Sequence, residues 1–290
     1  MSQARQTTAL VLRTVEFSET SLIVTLLTED LGRVSAIAKG ARRIKSPFEG
    51  SLDLLSVCRI VLIPKAGDVL DILTESKLRR RFRAGTRSLE RLYAGYYVAE
   101  LLRLLIDDDD PHAELFRLTL EILDWIDSPG AKTLPSVGHA LLLFDAQALR
   151  LLGHAPSIDL CSDCGCNVDL VEIASSNPRN LAFSLTGGGV LCHRCRTRGQ
   201  NSLMTDPRTL MRLGLLLREP TIQETAPVKL KQEQVGRTIR LTLDGGIVDV
   251  PIGGYASLRH LLSRYLQCLL GRAPRMESYL PSGTSVEKEF

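Results

Sequence analysis

Thr7-Thr8-Ala9-Leu10-Val11-Leu12-Arg13-Thr14-Val15-Glu16-Phe17, with the Ser21–Thr28 and Arg33–Ala38 stretches that follow it, decides the fold of this 290-residue chain. These stretches alternate or run apolar and are rich in Val, Ile and Thr, the composition of half-buried strands. Leu54–Ile63 and Val69–Ser76 read the same way. Asp30-Leu31-Gly32 is a tight connection between the second and third segments, and Pro64-Lys65-Ala66-Gly67-Asp68 joins the fourth to the fifth. Five short strands within about seventy residues suit a small closed barrel. An OB-fold is the first candidate, and an SH3-like barrel has the same pattern.

Beyond Arg83 the apolar period lengthens from two to three and four. Leu89, Leu92, Tyr93, Tyr96, Tyr97, Glu100, Leu101, Leu104 and Leu105 form one stripe with a lone Glu, so an amphipathic helix is expected with its tyrosines in or beside the core. Asp110-Pro111 reads as an N-cap followed by proline at the first helical position, opening a second helix that runs to about Asp127. A third spans about Ser136 to Leu152 and stops at Gly153; a fourth starts at Asp206-Pro207 and ends near Glu219-Pro220; the last is Ser257 to Leu270, closed by Gly271. Arg237–Leu243 and Ile247–Val250, separated by Asp244-Gly245-Gly246, read as a hairpin or as a flexible insertion.

Between the third and fourth helices stand Cys161-x2-Cys164 and Cys192-x2-Cys195. Each pair sets two thiolates on one corner of a tetrahedral metal, and two pairs fill the sphere of a structural Zn2+, leaving no position for a reacting water. The 27 intervening residues must fold back on themselves, with Gly187, Gly188 and Gly189 supplying backbone freedom before the second pair. Cys166 either replaces Cys164 as a ligand or stands beside the metal as a spare thiol; His193 is a poorer donor candidate. The expected architecture is therefore α+β: an OB-fold at 1–80, a helical domain at 81–154 and 201–280 carrying the hairpin near 228–256, an inserted zinc module at 155–200, and a flexible tail at 281–290.

Cysteine usage and charge narrow the function. Seven cysteines, concentrated in one segment behind a start that lacks an apolar leader, point to the reducing cytosol, and no apolar run reaches the roughly 20 residues of a membrane span. The net charge is only +3, yet Arg33 to Arg91 holds 14 Lys or Arg against 6 Asp or Glu, while Asp107-Asp108-Asp109-Asp110 carries compensating acid. Such segregation fits an anionic partner, and also plain solvation. Lys39, Arg42, Arg43 and Lys45 fall in the loop after the third strand, and Arg79, Arg80, Arg81, Arg83 and Arg87 follow the fifth, so both clusters are candidate DNA contacts. His193, Arg194, Arg196 and Arg198 extend the basic character onto the cysteine module. With few aromatics near the barrel, mainly Phe17, Phe48 and Phe82, binding is expected to lean on phosphate charge.

Catalytic patterns are weak. No G-x-x-x-x-G-K-[ST] phosphate loop occurs, and His112-Ala113-Glu114 lacks the proline and the spacing of a zinc deaminase, so no enzyme is expected. A zinc-containing, sequence-specific DNA-binding regulator is the alternative; it would need a recognition helix beside the cysteines, where Arg196-Thr197-Arg198-Gly199-Gln200 is short and broken by glycine.

The ordered motifs Ala9–Arg13, Glu19–Val24, Gly32-Arg33-Val34 and Lys39–Ser46, then Gly153-His154-Ala155-Pro156, the cysteine pairs, Phe183-Ser184, Gly188-Gly189 and Arg264-Tyr265-Leu266 resemble the bacterial DNA repair protein family RecO. The likeness covers nearly the whole chain; the segment around 228–256 is longer than the family's usual connection. The resemblance implies a DNA repair and recombination mediator of the cytoplasm and nucleoid. Such proteins bind single- and double-stranded DNA, anneal complementary strands, and associate with RecR. They help RecA replace single-stranded-DNA-binding protein. Since some members lack the cysteines, it also implies that the zinc supports the fold.

Overall fold

The computed structural model describes residues 3–48, 50–65, 67, 69–128, 137–176, 179–197, 201–219, 231–235, 238–243, 246–251 and 254–280. The expected tail at 281–290, Arg198 and residues 228–230 lie outside them. The chain divides into two compact units, Met1–Ser128 and Pro129–Phe290.

In the first unit, β1 (Arg5–Glu16), β2 (Leu22–Thr28), β3 (Arg33–Ala38), β4 (Val57–Ile63) and β5 (Asp71–Arg80) close a barrel in the order β1-β2-β3-β5-β4. All pairs are antiparallel except β3 with β5, and β4 returns to β1 to shut the ring. This is the OB-fold order rather than an SH3-like one. Inward residues alternate along the strands, with Ala9, Val11, Val24, Leu26, Ile60 and Leu62 filling the interior. β1 departs from alternation, since Ala9-Leu10-Val11-Leu12 are all buried. Helix α1 (Leu89–Leu105) lies against β1 and α2 (Ala113–Asp127) against β2, so Leu10 and Leu12 find apolar partners on the outer face. Tyr97 is fully buried in this layer, whereas Tyr93 and Tyr96 are half-buried.

The start of α2 differs from the expected Asp110 cap: His112 occupies the N-cap and Ala113 begins the helix. The acidic run is used instead as a strap onto β3. Asp109 N–H donates to the Arg33 carbonyl at 2.9 Å, and Arg33 Nε donates to Asp108 Oδ1 at 2.8 Å. Asp110 Oδ2 stands 2.8 Å from His112 Nε2, which leaves that carboxylate facing a side chain rather than the helix amides.

The second unit is organised around α3 (Val137–Leu151), buried on every side from Val137 to Leu149. Its buried polar groups have partners. The Gln147 side-chain amide donates to the Leu216 and Arg218 carbonyls, and Arg259 Nη1 donates to Asp145 Oδ2 at 2.6 Å. After α3 come α4 (Leu170–Ser176), β6 (Leu181–Ser184), β7 (Gly189–Leu191), β8 (Ser202–Thr205) and α5 (Pro207–Leu216). The strands form a sheet in the order β7-β6-β8. Asp206 caps α5 by accepting from Arg208 N–H, and Pro207 sits at its first position, as the sequence predicts. A separate antiparallel sheet, β11-β10-β9, is built from β9 (Lys231–Val235), β10 (Thr238–Leu243) and β11 (Gly246–Pro251). The β10–β11 pair is the hairpin read from sequence, and β9 is an added strand. α6 (Tyr255–Leu270) packs on α3 and α5 and ends at Gly271.

Candidate nucleic-acid interface and metal centre

The loop after β3 leaves the barrel with Lys39, Arg42, Arg43, Ile44 and Lys45 exposed. Arg42 anchors it: its N–H donates to the Thr20 carbonyl at 3.1 Å, and its guanidinium donates to Ser18 O at 3.2 Å and pairs with Glu16 at 3.1 Å. The loop is thus held against the β1–β2 turn. Lys39, Arg43 and Lys45 have no ion pair among the described residues, so their charge is directed to solvent. Loop and barrel enclose a cleft of about 510 Å3, lined by Leu22, Phe48 and Leu52 among others, with Arg42, Arg43 and Ile44 also contributing.

The second basic cluster is more heavily engaged. Arg80 pairs with Asp124 on α2, and Arg81 donates to the Gly50 carbonyl at 2.8 Å and lies 3.6 Å from Asp53. Gly50 and Asp53 also line the cleft, so Arg81 braces its wall. Arg87 donates to Asp127 Oδ1 at 2.8 Å. Arg83 donates to Asp127 Oδ1 through its backbone N–H, and the Arg79 and Arg83 side chains are exposed. Cations already held by carboxylates and carbonyls give phosphate less new interaction, so the loop after β3 carries the more available charge of the two clusters.

In the second unit the sulfurs of Cys161, Cys164, Cys192 and Cys195 lie within 4.8 Å of one another. Cys164 Sγ and Cys192 Sγ are 3.8 Å apart. Zn–S bonds of about 2.3 Å in a tetrahedron require edges of about 3.8 Å, so the donor set and its spacing fit that ion. Local backbone geometry makes the fit. Gly165 N–H donates to the Cys161 carbonyl and Arg196 N–H to the Cys192 carbonyl, closing the two turns, while Ser162 N–H donates to Val190 O and joins the first turn to β7. Cys161, Cys192 and Cys195 are buried and Cys164 is exposed. Cys166 stands outside the four, beside the Cys164 and Cys192 thiols.

The thiols are tuned unevenly. Burial raises Cys161 and Cys192, but backbone N–H groups aimed at their sulfurs outweigh it, bringing Cys161 below its ordinary value and Cys192 down to about 6. One of these bonds is Cys192 N–H to Cys161 Sγ at 3.4 Å. Cys195 is raised, first by its hydrogen bond with Asp163 and then by burial; Cys166 is pushed up to about 11, chiefly by its bonds with Cys164 and Cys192. A divalent cation would stabilise all four ligands as thiolates. His193, Arg194 and Arg196 are exposed around this cluster.

The barrel-plus-cysteine architecture has a counterpart in known sequences. The family model described as recombination protein O N terminal matches residues 1–82, and that described as recombination protein O C terminal matches residues 86–244. The chain belongs to the RecO family. It is 52% identical over 274 residues to the DNA repair protein RecO of Rhodopirellula baltica, covering 94% of this chain and 97% of that protein. The RecO of Rubrobacter xylanophilus is 31% identical over 232 residues, covering 80% of this chain and 87% of its own length. That of Anaeromyxobacter sp. strain K is 36% identical over 188 residues, 65% of this chain and 69% of the relative. The two family models meet between Phe82 and Thr86, where β5 has ended and α1 has not begun. Sequence reasoning missed the exposure of Ile44 beside the candidate loop cations; an apolar residue between Arg43 and Lys45 was the available signal.

Proposed function

We propose that this chain is a non-enzymatic DNA repair and recombination mediator. In this reading it binds single- and double-stranded DNA through the loop after β3, anneals complementary strands, and acts with RecR to load RecA onto DNA coated by single-stranded-DNA-binding protein. The observation that carries the reading is the cationic loop. Lys39, Arg43 and Lys45 are exposed without an ion pair among the described residues, on a closed OB barrel in a RecO-family chain. Phosphate neutralisation releases counterions, so binding is strong at low salt, weakly sequence-specific, and lost as salt rises. Cations between two strands also screen their mutual repulsion, which favours annealing without nucleotide hydrolysis. Arg42, Arg79 and Arg83 extend the track; Arg81 braces the cleft wall at Gly50 and Asp53, and Arg80, held by Asp124 on α2, flanks it. Cys161, Cys164, Cys192 and Cys195 would hold a structural Zn2+ whose contribution is to the fold of the second unit.

The sequence-specific regulator reading gains nothing from residues 193–197, which form a turn; Arg198-Gly199-Gln200, the rest of the segment read for a recognition helix, lie outside the described residues. Among the described residues no helix is long and apolar enough to cross a membrane. The test is a salt titration of binding to unrelated single-stranded and duplex oligonucleotides, using the wild type and a variant carrying Lys39→Ala, Arg43→Ala and Lys45→Ala. The expected result is sequence-independent binding whose log–log salt slope on single strands drops by about 2 in the variant, at about 0.7 per lost contact. An unchanged slope would remove the loop from the interface.

A further inference from the structure

Two large apolar side chains stand exposed near the cationic loop: Ile44, 96% exposed between Arg43 and Lys45, and Phe17, 60% exposed at the end of β1. Arg42 brings their segments together. It binds the Thr20 and Ser18 carbonyls of the β1–β2 turn, and Phe17 N–H in turn donates to Ser21 O across that turn. Ile44 also borders the cleft, where half-buried Leu22 contributes apolar surface above the buried core side chains Phe48 and Leu52, and Asp53 a carboxylate. The chemistry is therefore graded. Lys39, Arg43 and Lys45 are presented to solvent, the apolar groups border or line the cleft, and Asp53 makes its wall unfavourable for a phosphate or an acidic side chain. The volume of about 510 Å3 falls in the range that holds small organic ligands.

We propose that Phe17, Ile44 and the adjoining cleft form a seat for unstacked nucleobases, so that this edge of the barrel reads single-stranded DNA in preference to duplex. The inference rests on the DNA-binding reading above and adds to it a discrimination that charge alone cannot supply. Cations alone favour the duplex, whose phosphates are more densely spaced and release more counterion per contact. A base can lay its face on Ile44 or Phe17 only when its neighbour has left it, because in a duplex the faces are covered by stacking. Apolar side chains presented beside a cationic surface are also what proteins insert between base steps to open them. Phosphates then stay with the lysines and arginine while the bases turn toward the apolar edge.

The test compares the wild-type full chain with a Phe17→Ser/Ile44→Ser variant and with the Lys39→Ala/Arg43→Ala/Lys45→Ala variant. Binding to a single-stranded oligonucleotide containing 2-aminopurine and to its duplex is followed at one salt concentration. Both apolar residues are exposed, so their replacement leaves the fold intact, which a thermal melt verifies. Expected is a loss of about tenfold in single-strand affinity for Phe17→Ser/Ile44→Ser, the scale of one lost base stack. Duplex affinity should change less than about twofold, and the rise in 2-aminopurine fluorescence seen with wild type should disappear. The triple alanine variant loses affinity for both forms. Unchanged single-strand affinity, or equal loss on both forms, overturns the base seat while leaving the cationic reading in place. Wild type that binds neither form overturns both. An acidic, apolar-ended peptide that binds through Phe17 and Ile44, when 2-aminopurine DNA does not, assigns the patch to a protein partner and overturns the proposal.

Discussion

At Gly32 a side chain is excluded twice over. The residue has φ +75°, and a Cβ there would lie 2.4 Å from the Asp110 carbonyl oxygen, a backbone atom that cannot swing aside. Gly67 has the same φ with open space around it. Gly32→Ala is therefore expected to destabilise the first unit by at least about 2 kcal/mol, combining backbone strain with overpacking, while Gly67→Ala shows only the strain, about 1 kcal/mol. Urea denaturation of the two variants measures the difference. The sequence marks Gly32 as a turn residue, but the strap of Asp108 to Asp110 that makes it indispensable is a tertiary contact with no local signal. The same limit applies to charge. Lys39, Arg43 and Lys45 are legible as exposed cations, whereas nothing in a run of arginines shows that Arg33 serves Asp108, Arg80 serves Asp124 and Arg81 braces Gly50.

At the scale of elements, apolar patterning located all five barrel strands and the long helices; most bury one face over several turns or pleats, while α3, buried on every side, is marked by its apolar content and the stop at Gly153. The short elements escaped it. β6, β7 and β8 are three or four residues long, too brief for alternation to be counted, and they follow from the need of the cysteine turns for a scaffold. Cys192→Ser removes one of the four clustered sulfurs and should abolish stoichiometric zinc binding. Rapid amide exchange should then appear across 157–205 while protection of β1 to β5 is kept. Metal analysis and hydrogen exchange check this, and protected amides around β7 in a metal-free variant would contradict it.

Helix α3 carries a second expectation at this scale. Asp145 is fully buried and its partner Arg259 is 11% exposed at the side chain. Arg259→Met strips a buried carboxylate of a charge partner and should cost about 3–5 kcal/mol. Adding Asp145→Leu should recover much of that, since an apolar pair of similar volume escapes the desolvation penalty. Denaturation midpoints of the single and double variants decide it.

Across the whole molecule the features divide between the two units. The first unit carries an OB barrel with a solvent-directed cationic loop, and the second carries a four-cysteine cluster shaped for a closed metal site. The unbroken Ala9-Leu10-Val11-Leu12 run was the sequence signal that β1 is covered on its outer face, as α1 covers it. The expected partners came only from family likeness, because no pattern of composition names a protein. Cationic screening by the loop after β3 is proposed to drive strand pairing, and the deciding measurement mixes complementary labelled oligonucleotides coated with single-stranded-DNA-binding protein, without ATP, across a salt series. The wild type should accelerate annealing at low salt, the acceleration should fade as salt rises, and the Lys39→Ala/Arg43→Ala/Lys45→Ala variant should lose it while melting normally. No acceleration at any salt by folded, zinc-loaded wild type would contradict the account.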